Sequence, residues 1–191
     1  MGKILFINGC VRTESRTLEL ANYVLSQLQG EKEEVQLYNI PLAPLNAQAL
    51  EAREQAYAAG DFSHNAYTLA RQFANADTIV IAAPYWDLMF PSVVKTYLEN
   101  VTVSGITFRY SDLGRPESLC KAKTLYYVTT AGGFIGKNDF GFSYIKALAQ
   151  NFFGIQEIHG YAAEGLDIFG ANLPEIMNKA KQEILRDLHN A

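Results

Sequence analysis

The chain is 191 residues long, with 16 Lys and Arg against 20 Asp and Glu, so its formal net charge is −4. Apolar residues make up 49% and charged residues 19%, which excludes an intrinsically disordered chain and supplies one sizeable core. The mildly acidic balance argues against a protein that coats nucleic acid, which needs a basic face.

Two cysteines, Cys10 and Cys120, make no disulfide framework, and no Cys/His spacing reads as a zinc site. No apolar run is long enough for a signal segment or a membrane span. The expectation is a cytoplasmic protein, one domain over 1–191, with neither nucleic acid nor membrane as partner.

The first apolar run, Lys3–Asn8, reads as a buried strand. Leu18, Ala21, Leu25 and Leu28 then recur at helical spacing, with Ser15 as N-cap. The acidic run Glu31-Lys32-Glu33-Glu34 reads as a solvated connection, and the alternating Glu34–Tyr38 as an edge strand. An inserted helix fits Pro41–Asp61. Leu69, Phe73 and Ala76 mark the next helix, starting near Ser63 or His64, before a strand at Thr78–Ala83. Pro91 opens a helix carrying Val93, Val94, Tyr97, Leu98 and Val101. A strand follows at Thr124–Thr129, then a helix over Phe142 to Phe152 closed by Gly154. The last pair is a strand at Ile155–Ala162 and a helix from Asn172 carrying Ile176, Ala180, Ile184 and Leu188.

Strand–helix alternation predicts an α/β fold: a flavodoxin-like three-layer sandwich, with a five-stranded parallel sheet in the order 2-1-3-4-5 and helices on both faces. Ligands of such sheets sit outside the carboxyl ends of the strands, so the loops after strands 1, 3 and 4 carry the chemistry.

The first of these loops runs from Asn8 to Thr17 and gathers Arg12, Thr13, Ser15, Arg16 and Thr17 at a helix N-terminus. Free N–H groups, hydroxyls and guanidinium groups suit a phosphate. A bare helix cap with solvated arginines fits the same residues equally well. Neither the Walker loop nor G-x-G-x-x-G is present, against a nucleotide triphosphatase and an ordinary dinucleotide-binding domain. The second loop, Ala83 to Pro91, has Tyr85, Trp86 and Phe90 around Asp87 and Leu88, a wall for a flat ring system or a loop folded onto its own core. The third holds Thr130, Ala131, Gly132 and Gly133, whose unobstructed N–H donors suit an acceptor edge that gains negative charge.

These segments resemble the FMN-dependent NADH-azoreductases, within the flavodoxin-like NAD(P)H:quinone reductases, over nearly the whole chain. Ser15-Arg16-Thr17 resembles that family's phosphate site, Ala82 to Leu88 its flavin loop, and Gly105-Ile106-Thr107-Phe108-Arg109-Tyr110 its Gly-x-Thr-Phe-x-Tyr signature. Thr130 to Gly133 resembles its Gly-Gly loop, and Ala163-Glu164-Gly165 a segment after the fifth strand. Departures are Gly9-Cys10 in place of a Ser pair, Arg16 in place of an amide, and Trp86-Asp87 in place of Tyr-Asn.

The resemblance implies an FMN-dependent enzyme that passes two electrons from NADH or NADPH to quinones, azo compounds or related acceptors by a ping-pong cycle. It also implies a homodimer with one FMN per subunit at the interface. It assigns Gly9, Ser15, Arg16 and Thr17 to the phosphate end, Pro84, Tyr85, Trp86, Asp87 and Leu88 to the ring, and Thr130, Ala131, Gly132 and Gly133 to the pyrimidine edge. Phe108, Tyr110 and Phe134 become candidate substrate contacts. No side chain is assigned as an acid or base catalyst, and no metal is expected. The competing readings are an FMN electron carrier that does not accept hydride, for which −4 is a weak docking charge, and a flavin-free binding domain.

Overall fold

Alternating buried strands and amphipathic helices can bury their apolar faces only by stacking in layers. The computed structural model, which describes residues 2–137 and 139–190, shows this arrangement. The order is β1 (Lys3–Asn8), α1 (Arg16–Gln27), β2 (Glu31–Gln36), α2 (Ala47–Ala58), α3 (Thr68–Asn75), β3 (Thr78–Ala82), α4 (Ser92–Val101), β4 (Phe108–Tyr110), β5 (Pro116–Ser118), β6 (Thr124–Thr130), α5 (Phe140–Leu148), β7 (Glu157–Ala163) and α6 (Leu173–Asn190).

The main sheet is parallel, five-stranded and ordered β2-β1-β3-β6-β7. It differs from the expected 2-1-3-4-5 in chain numbering because two short strands intervene. β4 and β5 pair only with each other, antiparallel, as a separate hairpin. Three residues each, and mostly exposed, they carry too little apolar pattern to register as strands in the sequence.

Period-two alternation divides the sheet's side chains between two cores. Ile4, Phe6, Val80, Tyr126 and Val128 pack against Leu20 and Val24 of α1 and Met177 and Ile184 of α6. Leu5, Ile7, Ile79, Ile81, Leu125 and Tyr127 pack against Phe73 of α3, Val94 and Leu98 of α4, and Ile145 of α5. Ala56 of α2 joins Tyr67, Ala70 and Val103 in a smaller cluster, and Arg53 of the same helix donates to Asn100 O at 2.8 Å.

The acidic run Glu31-Lys32-Glu33-Glu34 is a correction: it is β2 itself, in register with Lys3 to Phe6 of β1. An edge strand needs only one paired neighbour and tolerates charge on its open side. Gln72 of α3 donates to Glu33 at 2.7 Å, so one of these acids is also bound from the helix layer. The helix α5 ends in a π turn over Ala149–Phe153, closed by Gly154 at φ 65°. A Cβ on Gly154 would stand 2.6 Å from Ser118 Cβ, so the residue must be glycine for β5 to approach.

Among the described residues, no helix is long and apolar enough to cross a membrane, and no cluster of His, Cys, Asp and Glu could hold a metal.

Candidate cofactor cleft

Parallel strands deliver their following loops to one end of the sheet. Here the loops after β1, β3, β6 and β7 enclose a cleft of about 370 Å³. The first loop contributes Val11, Arg12, Glu14, Ser15, Arg16 and Thr17; the second Pro84, Tyr85 and Trp86; the third Thr130, Ala131 and Gly132; and the fourth Leu166 and Asp167.

Ser15 starts α1 from extended backbone, and its hydroxyl accepts from Leu18 N at 3.3 Å. By helix geometry the N–H groups of Arg16 and Thr17 have no partner within the helix, so this terminus offers donors to an anion. The Thr17 hydroxyl does not face the cleft as a free group. It is buried, 2.6 Å from the Thr130 hydroxyl of β6.

The second loop is pinned where it matters. Tyr85 N donates to Thr130 O at 3.0 Å, and Trp86 and Met89 exchange main-chain hydrogen bonds of 2.7 and 2.9 Å. The turn between them puts Asp87 at φ 49° and Leu88 at φ 68°, the left-handed geometry of a type I′ turn built without glycine. Trp86 is thereby turned to the cleft rim, 44% exposed. The phenol of Tyr85 is pushed above its ordinary pKa by desolvation, with Asp139 and Glu164 adding to the shift.

The third loop is laced to the fourth. The carbonyls of Ala131, Gly132 and Gly133 accept from Leu166, Asp167 and Gly165 at 3.1, 2.9 and 2.9 Å. Glu164 reaches back to accept from Ile135 N at 3.0 Å. Asp167 also pairs with Arg16 at 2.9 Å across the cleft. Arg12 lines the same cleft and has no hydrogen bond or ion pair with any described residue.

The remaining expected residues lie outside the cleft. Gly9 is buried where a Cβ would meet Val94 Cγ2 at 2.7 Å and Ala82 O at 3.0 Å, so it serves the close passage of β1 past β3 and α4. Asp87 and Leu88 form the tip of their turn, and Gly133 faces solvent beyond Gly132. Phe108 is buried in the hairpin, edge-on to Phe152 at 4.9 Å, with Tyr110 beside it. Phe134 lines a neighbouring groove with Ile168 and Phe169. Arg109 is tied to Glu117 at 2.9 Å within the hairpin. Sequence reasoning missed Val11 and Glu14, and it missed Leu166 and Asp167, although the Glu164-Gly165 segment immediately before that last pair is a visible signal. The thiol of Cys10, buried behind the first loop, is pushed up by desolvation.

Comparison with known proteins agrees with this geometry. The family described as having a flavodoxin-like fold matches residues 2–188. An FMN-dependent NADH:quinone oxidoreductase of Clostridium perfringens (strain ATCC 13124) is 33% identical over 183 residues, 92% of this chain and 92% of that protein. The solved azoreductase of Bacillus anthracis str. Sterne superposes with a TM-score of 0.85 at 22% identity, covering all of both chains. An FMN-dependent NADH-azoreductase from Bacillus anthracis str. Ames Ancestor, solved in complex with FMN, gives 0.82 at 20% identity, over 100% of this chain and 99% of that one. With its near-complete family match and a relative one-third identical along nine-tenths of both chains, this protein belongs to the flavodoxin-like FMN-dependent NADH:quinone oxidoreductases.

Proposed function

We propose that the cleft binds FMN, and that the protein reduces quinones, and azo compounds of similar shape, with NADH or NADPH as the donor. FMN, when bound, supplies the two-electron chemistry between donor and acceptor. The chain's own residues do the rest. One observation carries the reading: a helix N-terminus with two guanidinium groups, an aromatic wall and a glycine loop converge on one cleft.

The fit is tested at Gly132. A Cβ there would stand 2.4 Å from Asp167 Oδ2 and 3.2 Å from Asp167 Cβ, so glycine lets the third and fourth loops pack together and leaves bare backbone at this edge of the cleft, where a flat ring can approach. The N-terminus of α1, with Ser15, Arg12 and Arg16, would hold the phosphate, and Thr17 would brace that terminus against Thr130. Pro84, Tyr85 and Trp86 would flank the ring, with Trp86 keeping water from one side. The N–H group of Gly132 would meet the ring's acceptor edge, which gains charge on reduction.

Trp86, Leu88, Phe134, Phe140, Ile168 and Phe169 are all exposed. Such a set of apolar side chains supports a homodimer in which a second copy covers this end of the sheet. A single domain in the cytoplasm is part of the same reading.

The decisive experiment is an anaerobic visible spectrum of the FMN-reconstituted protein before and after NADH. Bleaching within seconds, reversed by a quinone, is the expected result. Bound flavin that stays oxidised with both NADH and NADPH would make the protein an electron carrier, and no bound flavin would leave a flavin-free binding domain.

A further inference from the structure

Asp167 is anchored to the glycine loop and to the α1 terminus at once. Its N–H donates to Gly132 O at 2.9 Å, and its carboxylate meets Arg16 Nη1 at 2.9 Å. Its Oδ2 lies where a side chain on residue 132 would be, so the carboxylate sits against Gly132 in the lining of the cleft. Both side chains of the pair remain largely in water, 43% exposed for Arg16 and 72% for Asp167. Arg12, in the same cleft, is unpaired among the described residues.

A carboxylate and a phosphate make the same demand on a guanidinium group. The cleft therefore carries its own competitor for one of its two cations. Exposed pairs of this kind are weak, so a dianion backed by other contacts displaces the carboxylate. A small free anion has only the terminus and Arg12 to gain, without the contacts that hold the rest of a cofactor. We propose that Asp167 is a built-in competing anion: it holds Arg16 while no phosphate is present and must yield it when the FMN phosphate binds. It thereby sets cofactor affinity below what the two arginines would give and disfavours inorganic anions. This rests on the FMN reading above.

The test is flavin fluorescence titration of the apo protein with FMN and with riboflavin, which lacks the phosphate, for the wild type, Asp167→Asn, Arg16→Gln and the double variant. Asp167→Asn preserves shape at an exposed position, and far-UV circular dichroism checks that each variant is folded. Asp167→Asn is expected to tighten FMN about three- to tenfold, the scale of one screened charge in contact, and to leave riboflavin unchanged. The gain is expected to vanish in the Arg16→Gln background, and inorganic phosphate to compete with FMN better in Asp167→Asn than in the wild type. Unchanged or weaker FMN binding, an equal gain for riboflavin, or a gain that survives Arg16→Gln would each overturn the proposal while leaving the FMN reading intact. Failure of both flavins to bind the wild type would overturn both.

Discussion

Thr17 and Thr130, 113 positions apart in sequence, bring their hydroxyl oxygens to 2.6 Å in a buried contact between the start of α1 and the end of β6. The bond fixes the N-terminus of α1 against the strand whose next residues form the glycine loop. Thr17→Val leaves the Thr130 hydroxyl buried without its partner, so it is expected to lower stability by about 1–3 kcal/mol in chemical denaturation. Thr17→Val with Thr130→Val is expected to cost less than the sum of the single changes, because neither hydroxyl is then orphaned. Strict additivity would show that the contact is not formed.

Leu88 holds a left-handed conformation, φ 68°, with its side chain 48% exposed. A bulky residue in that region carries strain of about 1–2 kcal/mol, and little buried apolar surface offsets it here. Leu88→Gly is expected to leave the apo protein at least as stable, raising the thermal midpoint, because relief of strain outweighs the added freedom of the unfolded chain. A drop of several degrees would mean that the Leu88 side chain packs on something the isolated chain does not reveal, such as a second copy.

The far end of the sheet predicts an acid limit. Asp187 of α6 accepts from the Tyr161 hydroxyl at 2.7 Å and lies 2.8 Å from His159 Nδ1. The Tyr161 hydroxyl first, then His159, hold its carboxyl below the usual value against the opposing effect of burial. A folded pKa below the unfolded one means stability that is present above about pH 4, near the unfolded carboxylate value, and is lost as pH falls through the folded value. Asp187→Asn removes this term. The thermal midpoint is expected to fall less steeply with acidification in Asp187→Asn than in the wild type. Identical slopes would free α6 from this contact.

Neither thiol is poised for chemistry. Burial pushes Cys120 up to about 12, and its Sγ lies 3.3 Å from Thr107 O, while Cys10 is 2% exposed. A thiol reagent at about pH 8 is expected to label neither cysteine in the native protein and both after unfolding. Rapid native labelling at Cys10 would show that the first loop opens.

Much of this protein is legible locally. Ser15 as a cap, Gly154 as a stop and the apolar run Lys3–Asn8 each act through near neighbours in the chain, so the sequence announces them. The acidic β2 misleads because its strand character comes from main-chain pairing with β1, which side-chain polarity does not encode. Phe108 misleads in the opposite way. Its aromatic ring suits a pocket, but the hairpin places it against Phe152.

The sequence by itself determined the alternation of strands and helices, and hence the layered sheet and the end of it where the cleft opens. Hydrophobic period and turn chemistry are local properties, and right-handed crossovers leave few other arrangements. Only the tertiary structure decided which polar groups in that cleft are free. Thr17 meets Thr130, Arg16 meets Asp167 across 151 positions, and Arg12 meets no described partner. Such pairings depend on where four loops converge in space, and no pattern along one of them records the others.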